Sequence, residues 1–302
     1  MYRQRTLQSE VAVAGVGLHT GRNVTLTLKP GAADSGVRFV RTDGAARVEI
    51  PATVESVVDT TLATTLGRGG TTVGTVEHLL AALYGMGIDN VVAEVDGPEI
   101  PALDGSAEPF VALARKAGIA TQDAAKTFFV IDRAVRVEEP GKWAELAPAR
   151  GLSIEYRVHF NHQLLGEQKV TVDLCGEDFS KVIAPARTFG FAKEVDALRA
   201  RGLALGGSLE NAVVLDGDHY LNPDGLRFAD ECVRHKVLDA LGDLALFGMV
   251  VVGRFRADRS GHTLNNRLAK AVLADASSHR QIRPTPEEAK ALGLYVPTWV
   301  TP

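Results

Sequence analysis

A pattern that runs through the chain twice constrains its fold most. In the first half, Val24, Leu26 and Leu28 alternate with Thr25 and Thr27, the period-two signature of a strand. Val76, Leu79, Leu80 and Leu83 then recur at i, i+3, i+4 and i+7 and predict a helix over about 76–86, with Thr75 as its N-cap and Gly85 and Gly87 at its end. A strand (90–95, NVVAEV) and a helix (107–117) follow. The second half has strand patterns over about 128–175, a strong helix at about 230–247, the strand MVVVGRF and a helix over about 262–273. His78 lies 27 residues before Gly105, and His235 lies 26 before Gly261, each glycine just ahead of a helix. A duplicated unit of this kind predicts an α+β protein of two similar domains, each a β-sheet packed by α-helices, with the helical layers facing each other across the active site. The boundaries expected are 1–124 and 125–275, with 276–302 as a C-terminal extension. In that extension Thr285-Pro286 before EEAKAL reads as a capped short helix. A chain of 302 residues is long enough for two cores.

Composition removes several classes. A net charge of −4 leaves no footprint for nucleic acid. The two cysteines, Cys175 and Cys232, make neither a CxxC pair nor a disulfide framework, which fits a reducing, cytoplasmic setting. The N-terminus has no apolar core of the signal-peptide kind. The longest apolar run, LALFGMVVV at 244–252, is too short to span a bilayer and reads as a helix end running into a strand, so no stable membrane insertion is expected. The G-x-G of GVGLHTG (15–21) is followed by a strand, not a helix, and reads as a hairpin turn instead of a dinucleotide loop.

The chemistry concentrates on the helix near 235. Glu231, His235, Asp239 and Asp243 are spaced by four, and four residues turn a helix by about 400°, so neighbours in this series share a face. Val233, Val237, Leu241 and Leu244 occupy the other side. Standing alone, such a stripe is a solvated salt-bridge pattern. The first half adds Glu77-His78 in the first turn of its own helix. Three protein ligands, His78, His235 and Asp239, with an adjacent carboxylate are what a catalytic zinc site needs, since the fourth position stays open for water and the carboxylate can take that water's proton. An acidic residue in a first helical turn is also favoured by the helix dipole alone. His262, in the turn RSGHT, is either a solvated loop histidine or a general acid in the right pKa range to protonate a leaving nitrogen.

Taken together, Glu77-His78, His235-Lys236-x-x-Asp239 with Asp243, and Ser260-Gly261-His262 resemble the zinc-dependent UDP-3-O-acyl-N-acetylglucosamine deacetylases of lipid A biosynthesis. GVGLHTG (15–21), TVEHLLAAL (75–83), EIPALDGSAEPF (99–110), ARTFGF (186–191) and HKVLDALGDLAL (235–246) look like that family's blocks, in its order, to about residue 273. The resemblance implies hydrolysis of the C2 acetamide of a UDP-linked acylated amino sugar to an amine and acetate, with Zn2+ as cofactor. It implies Glu77 as base, His262 as acid, Asp243 as the residue orienting or balancing His262, and Thr188 as donor to the oxyanion. His19, Lys142, Phe160, Phe189 and Lys236 would contact substrate, Phe160 near the uracil. An insert at about 190–214, from Phe191 through Leu203 and Leu205 to Val213-Val214, would pass the acyl chain. Gln163, and Glu210-Asn211 in SLENAVVL, depart from the family pattern near the regions expected to meet the acyl chain and the nucleotide. A monomer with no nucleic-acid partner is expected. Two other readings stay open: a zinc amidohydrolase for another acylated amino sugar, and a duplicated metal- or sugar-nucleotide-binding protein without catalysis, which would need neither Glu77 nor His262.

Overall fold

The computed structural model describes residues 2–160, 162, 164–174 and 177–294. Gln163, Cys175 and the last eight residues of the expected C-terminal extension lie outside the described residues. The duplication is visible in the sheets. The first has five strands in the order Val11–Val16, Asn23–Pro30, Val91–Val95, Val37–Arg41, Val48–Pro51. The second repeats that order as Val135–Glu139, Lys142–Ala147, Val250–Asp258, Leu152–His159, Glu167–Asp173. Directions match as well. In each, the first two strands form an antiparallel hairpin, the central strand runs antiparallel to that hairpin and parallel to the next strand, and the last pair is antiparallel. Arg3–Leu7 pairs with Ile119–Ala125 in a separate two-stranded sheet, whereas Phe128–Ile131 joins the second sheet beside Val250–Asp258 and pairs on its other edge with His279–Ile282. The latter strand falls within the segment 276–302.

Alternation places the strand faces as expected: Val24, Leu26 and Leu28 are buried while Thr25 is exposed. The GVGLHTG segment is the turn of the first hairpin. The helices are α1 (Glu77–Gly85), α2 (Glu108–Ala117), α3 (Phe179–Val182), α4 (Ala192–Ala200), α5 (Glu231–Ala245), α6 (His262–Ala274) and α7 (Pro286–Ala291). None is long and apolar enough to cross a membrane. Leu79, Leu80 and Leu83 of α1 share one buried cluster with Val233, Val237, Leu241 and Leu244 of α5, each such side chain stabilising the fold by about 1.5–3 kcal/mol.

Helices α1 and α5 face each other between the two sheets, and their approach is close at one point. A Cβ on Gly242 would lie 2.2 Å from the carbonyl oxygen of Glu77, so only glycine fits there. Thr75 does not cap α1. Its φ is +57°, and its hydroxyl donates to Glu99 Oε1 at 2.7 Å, while Val76 takes the cap position without a side-chain bond. At α7 the expected capping box forms between Thr285 and Glu288. The insert is a small parallel pair, Phe189–Phe191 with Val213–Asp216, joined through α4, none of whose residues is fully buried.

Candidate metal centre and active site

The polar stripe of α5 is not solvated. Glu231, His235, Asp239 and Asp243 are 0–6% exposed, because the first turn of α1, the start of α6 and the Ala186–Arg187 segment close over that face. Residues Glu77 and His78 enter the same space from the first turn of α1. His235 Nε2 lies 3.3 Å and His78 Nε2 3.7 Å from Asp239 Oδ1. The three ligand atoms all fall within 4.8 Å of one another. A tetrahedral ion with ligands about 2.0–2.1 Å away holds their donor atoms roughly 3.4 Å apart, so His78, His235 and Asp239 form a group able to hold a metal ion.

Protonation suits ligation. His235 Nδ1 donates to the backbone carbonyl of Ala186 at 3.0 Å, which leaves Nε2 as the lone-pair nitrogen on the metal side. Burial pushes His78 down to about 3 and lowers His235, so both imidazoles are neutral. Burial alone would raise Asp239, but the Lys236 ammonium and the His262 imidazolium hold its carboxyl well below the usual range. Lys236 Nζ donates to Asp239 Oδ2 at 2.6 Å.

Beside this triad stand a buried carboxylate, Glu77, and a buried imidazole, His262. Burial pushes Glu77 up to about 7, and its Oε2 accepts from the Thr64 amide at 3.0 Å. Its Oε1 is 3.7 Å from His262 Nε2. Burial would lower His262, yet the Asp243 and Glu77 carboxylates raise it to about 10, making it an imidazolium at neutral pH. Asp243 Oδ2 lies 3.0 Å from His262 Nδ1, its Oδ1 accepts from Thr64 Oγ1 at 2.7 Å, and its Oδ2 accepts from Asn265 Nδ2 at 2.9 Å. Sequence reasoning missed Thr64 and Asn265. Asn265 stands three residues after His262 on α6, a spacing that could have revealed it; Thr64 sits in a threonine-rich run with no distinguishing signal.

A cavity of about 680 Å3 opens on this centre. Thr188, Phe189, Phe160, His19 and Lys236 line it. Phe160 and Phe189 meet edge to face at 5.4 Å. Lys142 is placed elsewhere: it pairs with Glu139 at 2.8 Å on the outer hairpin and does not line the cavity. Of the insert, Phe191, Leu198, Leu209 and Val214 line the cavity, whereas Leu203 and Leu205 do not. Instead, the Leu205 amide donates to the His19 carbonyl and its side chain is 49% exposed. Glu99, not singled out from sequence, organises the opposite wall. Its carboxylate accepts from the amides of His19 and Thr20 at 2.9 Å.

A buried group able to hold a metal ion, flanked by a carboxylate and a protonated imidazole beside an apolar cavity, has the make-up of a hydrolase site. Over residues 4–274 the chain matches the LpxC family, UDP-3-O-acyl N-acetylglycosamine deacetylase, and it belongs to that family. It is 53% identical over 297 residues to the UDP-3-O-acyl-N-acetylglucosamine deacetylase of Anaeromyxobacter dehalogenans (strain 2CP-C), covering 98% of this chain and 96% of that one. It is 52% identical over 293 residues to the protein of the same name from Myxococcus xanthus (strain DK1622), covering 97% and 93%. The Pasteurella multocida (strain Pm70) deacetylase is 48% identical over 303 residues, covering 99% of each chain.

Proposed function

We propose that this protein hydrolyses the N-acetyl group of UDP-3-O-acyl-N-acetylglucosamine, giving UDP-3-O-acyl-glucosamine and acetate, with zinc held by His78, His235 and Asp239. The observation that carries this reading is the facing pair Glu77 and His262, 3.7 Å apart beside the metal triad; a protein that only bound a metal or a sugar nucleotide would need neither. Zinc bound there would supply a Lewis acid for the water and the amide carbonyl.

The remaining steps belong to the chain. Glu77 takes a proton from the attacking water as the O–C bond forms. Thr188 donates to the oxygen that gains negative charge. His262 delivers its proton to the nitrogen as the C–N bond breaks, and Asp243 stabilises the imidazolium until then. Phe160 and Phe189 offer faces for the base or sugar, and His19 and Lys236 donate to polar groups of the substrate. Lys142, tied to Glu139 outside the cavity, is not among these contacts. The apolar lining from Phe191 to Val214 suits the acyl chain. Domains of 1–124 and 125–275, a C-terminal extension, a monomeric state and a cytoplasmic location belong to the same reading; the repeated strand order supports the division into two similar domains.

The test is product analysis. Purified protein should release acetate and a free amine from UDP-3-O-acyl-N-acetylglucosamine, and much less from the acylated sugar lacking the nucleotide. Equal turnover of both would replace this substrate by another acylated amino sugar; release from neither would remove the hydrolase reading.

A further inference from the structure

The carbonyl that fixes His235 sits on an irregular segment, Ala186 to Thr188, not on a helix or a strand. Something must therefore hold it against α5. Next to it, Arg187 and Glu231 form an ion pair that is 8% and 0% exposed. Glu231 Oε1 accepts from Arg187 N at 3.0 Å and from Arg187 Nε at 2.8 Å. Its Oε2 accepts from Arg187 Nη2 at 3.1 Å and from the Arg227 amide at 2.7 Å. Arg187 Nη2 also donates to the Gly225 carbonyl at 2.7 Å. On the far side, the Thr188 amide donates to the Gly105 carbonyl of the first half at 2.8 Å.

Glu231 stands four residues before His235, so one rigid helix carries both the ligand and the carboxylate that grips the segment holding the ligand's acceptor. An arginine fork on a carboxylate fixes direction as well as distance. A fully satisfied buried pair of this kind holds one geometry, and a well-packed apolar pair can replace its stability but not its directionality.

We propose that the Arg187–Glu231 pair is a positioning element for the metal centre: it holds the Ala186 carbonyl on His235 Nδ1–H, and so keeps Nε2 aimed at the metal, while the same grip sets Thr188 toward the cavity. Neither residue touches metal or substrate. The inference rests on the zinc reading given above. Outer partners of metal-bound histidines affect metal affinity by about 10–100-fold, and this pair acts through one further peptide.

The test is zinc affinity of the full chain, measured by competition with a chromophoric chelator, together with the visible spectrum of the cobalt-substituted protein and the melting temperature of the metal-free protein. Glu231→Gln should weaken zinc binding about 10–100-fold. The double variant Arg187→Met/Glu231→Leu, which leaves no unpaired buried charge, should keep a cooperative melt and still lose zinc affinity. Arg187→Lys, which retains charge without the fork, should fall between wild type and Glu231→Gln. Wild-type affinity and an unaltered cobalt spectrum in the folded double variant would overturn the proposal and leave the zinc reading standing. Failure of the wild type itself to bind zinc would overturn both.

Discussion

Replacing Gly242 by alanine should test the helix crossing that brings the two halves of the site together. The added Cβ would lie 2.2 Å from the Glu77 carbonyl oxygen and 2.8 Å from its carbonyl carbon and Cα. All three are backbone atoms, so no rotamer change relieves the overlap, and reaching ordinary contact needs the helices to part by roughly 1 Å. Overpacking of this size costs about 1–3 kcal/mol, offset by about 1 kcal/mol of helix propensity gained on replacing glycine. The stability change is therefore small, a destabilisation of at most about 2 kcal/mol. The catalytic change is not small, because the same movement shifts Glu77 and His78 relative to His235 and Asp239, and a 1 Å misplacement costs about 100-fold. Thermal melting and acetate release on one preparation separate the two effects. A Gly242→Ala protein with wild-type kcat would refute the argument that this contact sets the site.

Three further outcomes follow from the site. Glu77→Ala should retain zinc, measured by metal analysis after desalting, while kcat falls at least about 100-fold; near wild-type turnover would remove Glu77 as the base. His235→Ala should lose tight metal binding, and one zinc per chain surviving a mild chelator would break the ligand assignment. Asp243→Asn removes a carboxylate that raises His262, whose pKa lies at about 10. If His262 is the acid proposed above, it acts protonated, so the alkaline limb of kcat/KM should move to lower pH, and a limb that stays in place would exclude Asp243 from this role.

Much of this architecture was legible in the chain because it is written in spacing. The i, i+4 stripe of α5 placed His235, Asp239 and Asp243 on one face, and the repeated intervals after His78 and His235 anticipated the two sheets of matching strand order. What spacing could not tell was whether the stripe met water or protein, since that depends on α1 arriving from 150 residues away. Backbone groups left no mark either: the Ala186 carbonyl that orients His235 has the same chemistry at every residue. Thr75 had the right side chain for a cap, but Glu99 captures its hydroxyl in a left-handed backbone conformation that ends the cap geometry. His279–Ile282 alternates poorly (HRQI) and was hidden for that reason, although it pairs with Phe128–Ile131. Lys142 had only its charge to recommend it, and the hairpin gives that charge to Glu139.

The central claim is that His78, His235 and Asp239 hold the one metal on which hydrolysis depends. It is met most directly by stripping the protein with a chelator, adding zinc back in sub-stoichiometric steps and following acetate release from UDP-3-O-acyl-N-acetylglucosamine. The account predicts negligible release from the stripped protein and a linear rise that reaches its plateau at one zinc per chain. Full activity in the stripped protein, or the same rise in an Asp239→Ala variant, would contradict it.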